Sequence, residues 1–319
     1  MKVKKLFATT LIASMMAVAF LFVAILSATP TFAQGITNYN SFPSPVPGNV
    51  ASVGFQATQA SEFGDRVQFS AGSGRSLLTA EQLMSSWGCQ SGNWYSNNCV
   101  TTPGATFSHA ITLNIYNVGT GGAVGSLIGS ATQTFVIPYR PSADPVNCTG
   151  TNAGKWFNGT TCYNGFATPI TFNLGGITVP NQVIYGIAYN TSGYGTAPMG
   201  YLNPCNSPSA GCGYDSLNVG LGGTTPPSVG INPDSDDVYQ NTQTASNYCD
   251  GGIGGLGTFR RDGGAGCWTG YQPSVKFTAA NAPTNANQCK NGGWQIRTRP
   301  DGSVFRNQGD CIQFVNTGN

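Results

Sequence analysis

Apolar and polar residues alternate with a period of two in one segment after another of this chain. Val67 and Phe69 alternate with Arg66 and Gln68, and Ile111, Leu113 and Ile115 with Thr112 and Asn114. Phe135, Ile137 and Tyr139 lead into Arg140; Ile170, Phe172 and Leu174 alternate with Thr171 and Asn173. Leu217, Val219 and Leu221 alternate with Asn218 and Gly220, and Val275 and Phe277 flank Lys276. Successive side chains of a strand point to opposite faces, so each segment predicts a half-buried strand. Residues 183–189 are apolar on both phases, which predicts a central strand covered on both faces. After residue 34 helical periodicity is weak, and a turn or two within residues 77–84 is the one helical expectation.

Strands joined by glycine-rich loops, without βαβ alternation, predict an all-β fold. The expectation is an antiparallel, jelly-roll-like β-sandwich over residues 34–280. Residues 281–288, polar and containing Pro283, read as a linker. Residues 289–319 read as a small C-terminal hairpin module around the turn signal Pro300-Asp301-Gly302, clipped by a disulfide.

The leader sets the chemical context. Lys2, Lys4 and Lys5 precede an apolar run over residues 6–26, and Thr31-Phe32-Ala33 before Gln34 has a small-x-small pattern. Residues 1–33 are therefore expected to be a cleaved signal peptide, which makes the protein secreted and extracellular with no membrane contact afterwards. The competing reading is an uncleaved membrane anchor. No hydrophobic tail is read in residues 314–319, so no second anchor is expected.

Composition fits a turn-rich extracellular β protein: only 8% of residues are charged, with 44 glycines and 19 prolines. Loss of the three leader lysines leaves 11 Lys plus Arg against 12 Asp plus Glu, a formal charge of −1. That balance argues against nucleic acid as a partner, because phosphate binding needs clustered basic charge. A cell-surface glycan or protein is the partner class that remains.

Ten cysteines follow the leader as five close pairs: Cys89 and Cys99, Cys148 and Cys162, Cys205 and Cys212, Cys249 and Cys267, Cys289 and Cys311. Sequence alone does not fix connectivity. The alternation of short and long offsets favours pairing between neighbours, except that the last pair is as wide as the gap before it. Thiolate zinc sites are disfavoured, since no C-x-x-C occurs and His109 is the sole histidine.

Several stretches carry a family resemblance. Gly64-Asp65-Arg66, Leu83-Met84-Ser85-Ser86-Trp87-Gly88-Cys89, Ile111-Thr112-Leu113-Asn114-Ile115-Tyr116 and Phe135-Val136-Ile137-Pro138-Tyr139-Arg140-Pro141 resemble a family of exported bacterial β-sandwich proteins. Some of its members carry cell-surface sorting tails of the choice-of-anchor kind. Ile184-Tyr185-Gly186-Ile187-Ala188-Tyr189 and Asp215-Ser216-Leu217-Asn218-Val219 extend the likeness across most of residues 34–280. Cys289-Lys290-Asn291-Gly292-Gly293-Trp294, with Asn307-Gln308-Gly309-Asp310-Cys311, is similar to a short module that ends many bacterial exported proteins. The resemblance implies export and a sandwich fold; it supplies no activity and no functional residues.

Candidate chemistry is sparse. A hydrolytic triad needs an imidazole base, and His109 shares phase with Ile111 and Leu113, so a core position satisfied by hydrogen bonds is expected. Glycoside hydrolysis needs two carboxylates across a cleft; Glu62, Asp65, Glu81, Asp144 and Asp215 are available, with no spacing that places two together. Asp234, Asp236 and Asp237 form the densest acidic cluster and are a calcium candidate, although the EF-hand glycine and glutamate are missing. Gly252-Ile253-Gly254-Gly255-Leu256-Gly257 matches a dinucleotide fingerprint formally but lacks a preceding strand and following helix, so a loop is expected. Trp94, Trp156, Trp268 and Tyr271 lie in or beside the cysteine-bounded loops and are candidates for stacking on a sugar or a protein, against a role in plugging the sandwich rim. Arg297 and Arg299 are expected on one solvated hairpin face opposite Trp294 and Ile296, a weak site for an anionic polymer. No catalytic residue and no cofactor is assigned. The expected function is a non-enzymatic structural or adhesive module; the alternative is a carbohydrate-binding or carbohydrate-active domain using loop aromatics.

Overall fold

A computed structural model describes residues 35–71, 74–92, 94, 96–189, 217–264, 266–299 and 303–318. The leader, Asp215 and the Pro300-Asp301-Gly302 turn lie outside the described residues. In chain order the strands are β1 (Ile36–Asn40), β2 (Ser52–Val53), β3 (Ala60–Gln68), β4 (Ser76–Ser86), β5 (Thr106–Val118), β6 (Val124–Pro138) and β7 (Trp156–Phe157). They continue with β8 (Cys162–Tyr163), β9 (Phe166–Thr178), β10 (Gln182–Ala188), β11 (Leu217–Gly220), β12 (Asp237–Thr242), β13 (Arg260–Gly263) and β14 (Val275–Ala279). A short helix α1 (Phe55–Thr58) and a C-terminal helix α2 (Gln308–Thr317) complete the set.

The fold is an antiparallel β-sandwich, as the alternation predicts. One sheet runs β1-β14-β4-β11-β2, with β9 on the other side of β4; the second runs β13-β12-β3-β10-β5-β6. Every period-two segment supplies its apolar phase to one interior. Phe63, Val67, Leu113, Ile115, Phe172, Tyr185, Val219 and Phe277 all pack there, removed from water. β10 lies between β3 and β5 in the interior of its sheet, and Ile184 on one phase and Val183, Tyr185 and Ile187 on the other are all buried. His109 also faces inward, edge-on to Tyr189 at 5.5 Å.

One expectation of secondary structure needs correction. Residues 77–84 are not helical: they form the middle of β4, hydrogen-bonded on one side to β9 and on the other to β14. Sheet pairing on both flanks overrides the weak helical spacing. In the tail, an antiparallel bridge joins Thr298 to Val304, in keeping with the expected hairpin, and the ten-residue helix α2, which was not expected, follows it. Asn307 caps that helix by accepting from the Asp310 backbone N–H at 2.9 Å, and Gly318 ends it with φ of 77°.

Four of the cysteine pairs are bonded as neighbours: Cys89–Cys99, Cys148–Cys162, Cys249–Cys267 and Cys289–Cys311. The fifth expected bridge, between Cys205 and Cys212, falls outside the described residues, because both Cys205 and Cys212 belong to residues 190–216. The last of the four is the centre of a satellite core in which Phe305 is buried, flanked by Trp294, Ile312 and Phe314. The arginines beside it are not solvated as expected. Arg297 is 7% exposed and donates to the Asn281 carbonyl; Arg299 pairs with Asp310 at 2.7 Å and lies 4.6 Å from the Phe305 ring. Among the described residues no helix is long and apolar enough to cross a membrane.

Candidate functional site

Two disulfide-closed loops meet at one end of the sandwich, and the segment leaving β6 runs between them. The Arg140 N–H donates to the Gly88 carbonyl, the Ala143 N–H to the Cys99 carbonyl and the Asp144 N–H to the Lys155 carbonyl, at 2.8 to 3.0 Å. Arg140 is 0% exposed, and its Nη2 donates to the Gly154 carbonyl at 2.7 Å. A buried guanidinium needs acceptors, and this one finds one on the loop closed by Cys148–Cys162 and another in the Pro141 carbonyl, to which its Nε donates at 3.3 Å. Bridges hold the loops covalently, and Arg140 holds one of them to the strand end.

Against this frame lies a cleft of about 600 Å³ walled by Pro103, Pro138, Pro141, Pro145, Tyr139 and Phe166. Tyr139 packs on Phe107 with centroids 4.9 Å apart, and burial raises its hydroxyl pKa. Asp144 supplies the carboxylate of the wall. Its oxygens accept from the Asn147 side chain and from the Asn147 and Val146 N–H groups at 2.9 Å, and those donors lower its pKa. The cleft therefore offers rigid apolar surface with an ionised group whose lone pairs are already engaged by its own turn.

The stacking candidates separate into different roles. Trp156 is 6% exposed; its indole N–H donates to the Gly165 carbonyl at 2.7 Å, and its ring packs on Tyr163 and Phe166. Trp268 packs edge-on to Phe63 and donates to Asp262 at 2.8 Å. Both pack into the sandwich rim, Trp156 buried and Trp268 half-buried. Trp94 meets Trp87 edge-on at 4.8 Å beside the Cys89–Cys99 loop. Tyr271 remains 50% exposed.

The calcium candidate is corrected by its arginines. Asp234 accepts from Arg66 at 2.6 Å and lies 3.5 Å from Arg261, while Asp237 pairs directly with Arg261. Neutralised carboxylates of this kind are poor cation ligands. Asp236 lines a separate cleft of about 460 Å³ with Asp237, Asp250, Arg260, Arg261 and Asp262. Among the described residues no group of three acidic, histidine or cysteine side chains is placed to hold a metal.

The carboxylates considered for glycoside hydrolysis are dispersed. β3 sends Glu62 and Asp65 to opposite faces, because Asp65 shares phase with Phe63 and Val67. Glu62 accepts from Asn114 and from the Tyr116 hydroxyl at 2.9 Å, and burial raises its pKa. Glu81, on the other sheet, pairs with Lys276. Asp262 is the acid that organises the Cys249–Cys267 loop, accepting from Gln240, Trp268 and the Cys249 N–H. Within that loop Asp250 accepts from the Gly252 and Gly254 N–H groups, and a strand rather than a helix follows, so residues 252–257 form a loop.

The cleft residues Tyr139 and Phe166 were not candidates from sequence. The density of prolines in residues 138–145 was the available signal, since proline fixes backbone shape next to a cysteine-bounded loop. A scan against protein-family models, a search of curated proteins and a search of solved structures each found no match.

Proposed function

We propose that this protein is a secreted, non-enzymatic β-sandwich that serves as a structural or adhesive module at the cell envelope. The observation that carries the reading is the cleft at the disulfide-closed end. Its prolines and bridged loops pre-organise an apolar contact surface, which lowers the ordering cost of binding. The carboxylates Asp234 and Asp237 are held in ion pairs with arginines, so Asp234 braces its loop to β3 and Asp237 braces β12 to β13. The test is fractionation of the mature protein with cell-envelope material, comparing wild type with Tyr139→Ala and Phe166→Ala. Retention that falls in these variants supports the reading; retention identical in all three removes the cleft as the contact surface.

A second reading, a carbohydrate-binding module, is favoured by the Trp87–Trp94 pair beside the same end of the molecule. Under it, glycan binding is lost in Trp94→Ala. An array showing no sugar bound by the wild-type protein eliminates it.

A further inference from the structure

The sandwich blunts nearly all of its edges. On the second sheet β13 is four residues long and contains Arg260, Arg261 and Asp262; on the first, β2 is two residues long. β1 is five residues long, and Asn40 at its end bridges to Val229. β9 is long, but it contains Pro169, and the Gln133 side chain both donates to the Asn173 carbonyl at 2.8 Å and accepts from its N–H at 3.3 Å. Shortness, charge, proline and side-chain caps are the devices that keep sheet edges from pairing with other chains.

β6 lacks them. It is 15 residues long, contains no charged residue, and has its single proline at the last position. Among the described residues its one strand partner is β5, and from Gly129↔Ile115 to Pro138↔Thr106 the register runs without a shift. An outward row of Ser130, Thr132, Thr134 and Val136 is exposed along this stretch, with Val136 at 67%. Small hydroxyl and β-branched side chains of this kind pair well across strands.

We propose that β6 is an assembly edge, along which two copies of this chain pair antiparallel over residues 130–138, centred on Thr134, and join their second sheets across a two-fold axis. A second copy fits because such a contact sets the same uncharged row against itself, with equal strand length on both sides. The formal charge of −1 on residues 34–319 gives two copies little long-range repulsion to overcome. The inference rests on the structural-module reading, for which it supplies a homotypic contact.

Sedimentation velocity over a wide concentration range tests it. Wild type is expected to reach the mass of two chains, and Thr132→Lys and Thr134→Lys are each expected to weaken that association at least about tenfold, because the dyad brings like charges together. Hydrogen exchange on the wild-type protein gives a readout independent of any variant's folding: amides of residues 130–138 should exchange more slowly as concentration rises. A monomer at every concentration, a dimer indifferent to both lysines, or unchanged exchange in β6 overturns the proposal. Envelope retention separates it from the functional reading. Lysine variants that are monomeric yet retained leave the adhesive role standing without need of the edge, whereas a wild-type dimer with no retention removes that role and keeps the edge.

Discussion

The Asp65 carboxylate accepts a hydrogen bond from the Asn232 side-chain amide at 2.9 Å inside the sandwich, tying β3 to the loop before β12. Burial raises the Asp65 pKa well above the ordinary carboxylate range, and nearby Asp234 pushes it the same way. The folded state therefore holds this proton more tightly than the unfolded chain. Its contribution to stability is complete below the unfolded pKa of about 3.9 and is lost as pH rises through the folded value. Asp144, Asp250 and Asp310, with lowered pKa values, work in the opposite direction. The comparison of Asp65→Asn with wild type isolates the effect: urea midpoints measured from acid to neutral pH should show the variant gaining on wild type as pH rises. Parallel curves would contradict it.

Gly186 of β10 lies directly beneath the Glu62 carboxylate, so a β-carbon there would collide with it. Gly186→Ala should displace Glu62 from Asn114 and Tyr116 and cost about 1 to 3 kcal/mol. Chemical denaturation reads the loss; a variant as stable as wild type would show that the carboxylate can move aside.

Trp156→Ala should act on stability rather than on recognition. Removing a buried indole and leaving the Gly165 carbonyl without its donor should cost about 3 to 5 kcal/mol. The expected result is a lowered Tm; an unchanged Tm with a selective loss of glycan or envelope binding would reverse the assignment.

In the tail, replacing Cys289 and Cys311 with serine should destabilise the satellite core by about 2 to 4 kcal/mol. Asn307→Ala should cost about 1 kcal/mol through loss of the cap. Both changes should speed proteolysis within residues 286–318 while the β-sheet circular dichroism of the sandwich persists. Cleavage first in the sandwich would show that the tail is not an independent weak point.

The strands were legible because a two-residue period survives wherever one face meets the interior, as in Ile111, Leu113 and Ile115. Three of the four described disulfides were legible from spacing for the same local reason, which does not reach Cys289–Cys311. What sequence did not show was the outcome of long-range competition. Whether Asp234 meets calcium or Arg66 depends on a pairing between β3 and a loop far along the chain, and whether Trp156 faces solvent depends on where Gly165 returns. Helix α2 did have a local signal in Asn307, Asp310 and Gly318, a capped start and a glycine stop; its single turn of apolar residues around Cys311 is too short to display a period.

β1 finds its hydrogen-bonding partner in β14, with Ile36 opposite Ala279. A nascent polypeptide can close the Cys89–Cys99 loop early, yet the first sheet has no complete order until residue 279 exists. Contacts this distant in sequence slow folding and keep strand edges uncovered meanwhile. The sandwich is thus completed only by the late arrival of β14, and the loops closed by Cys89–Cys99, Cys148–Cys162 and Cys249–Cys267 are the parts able to mature ahead of it.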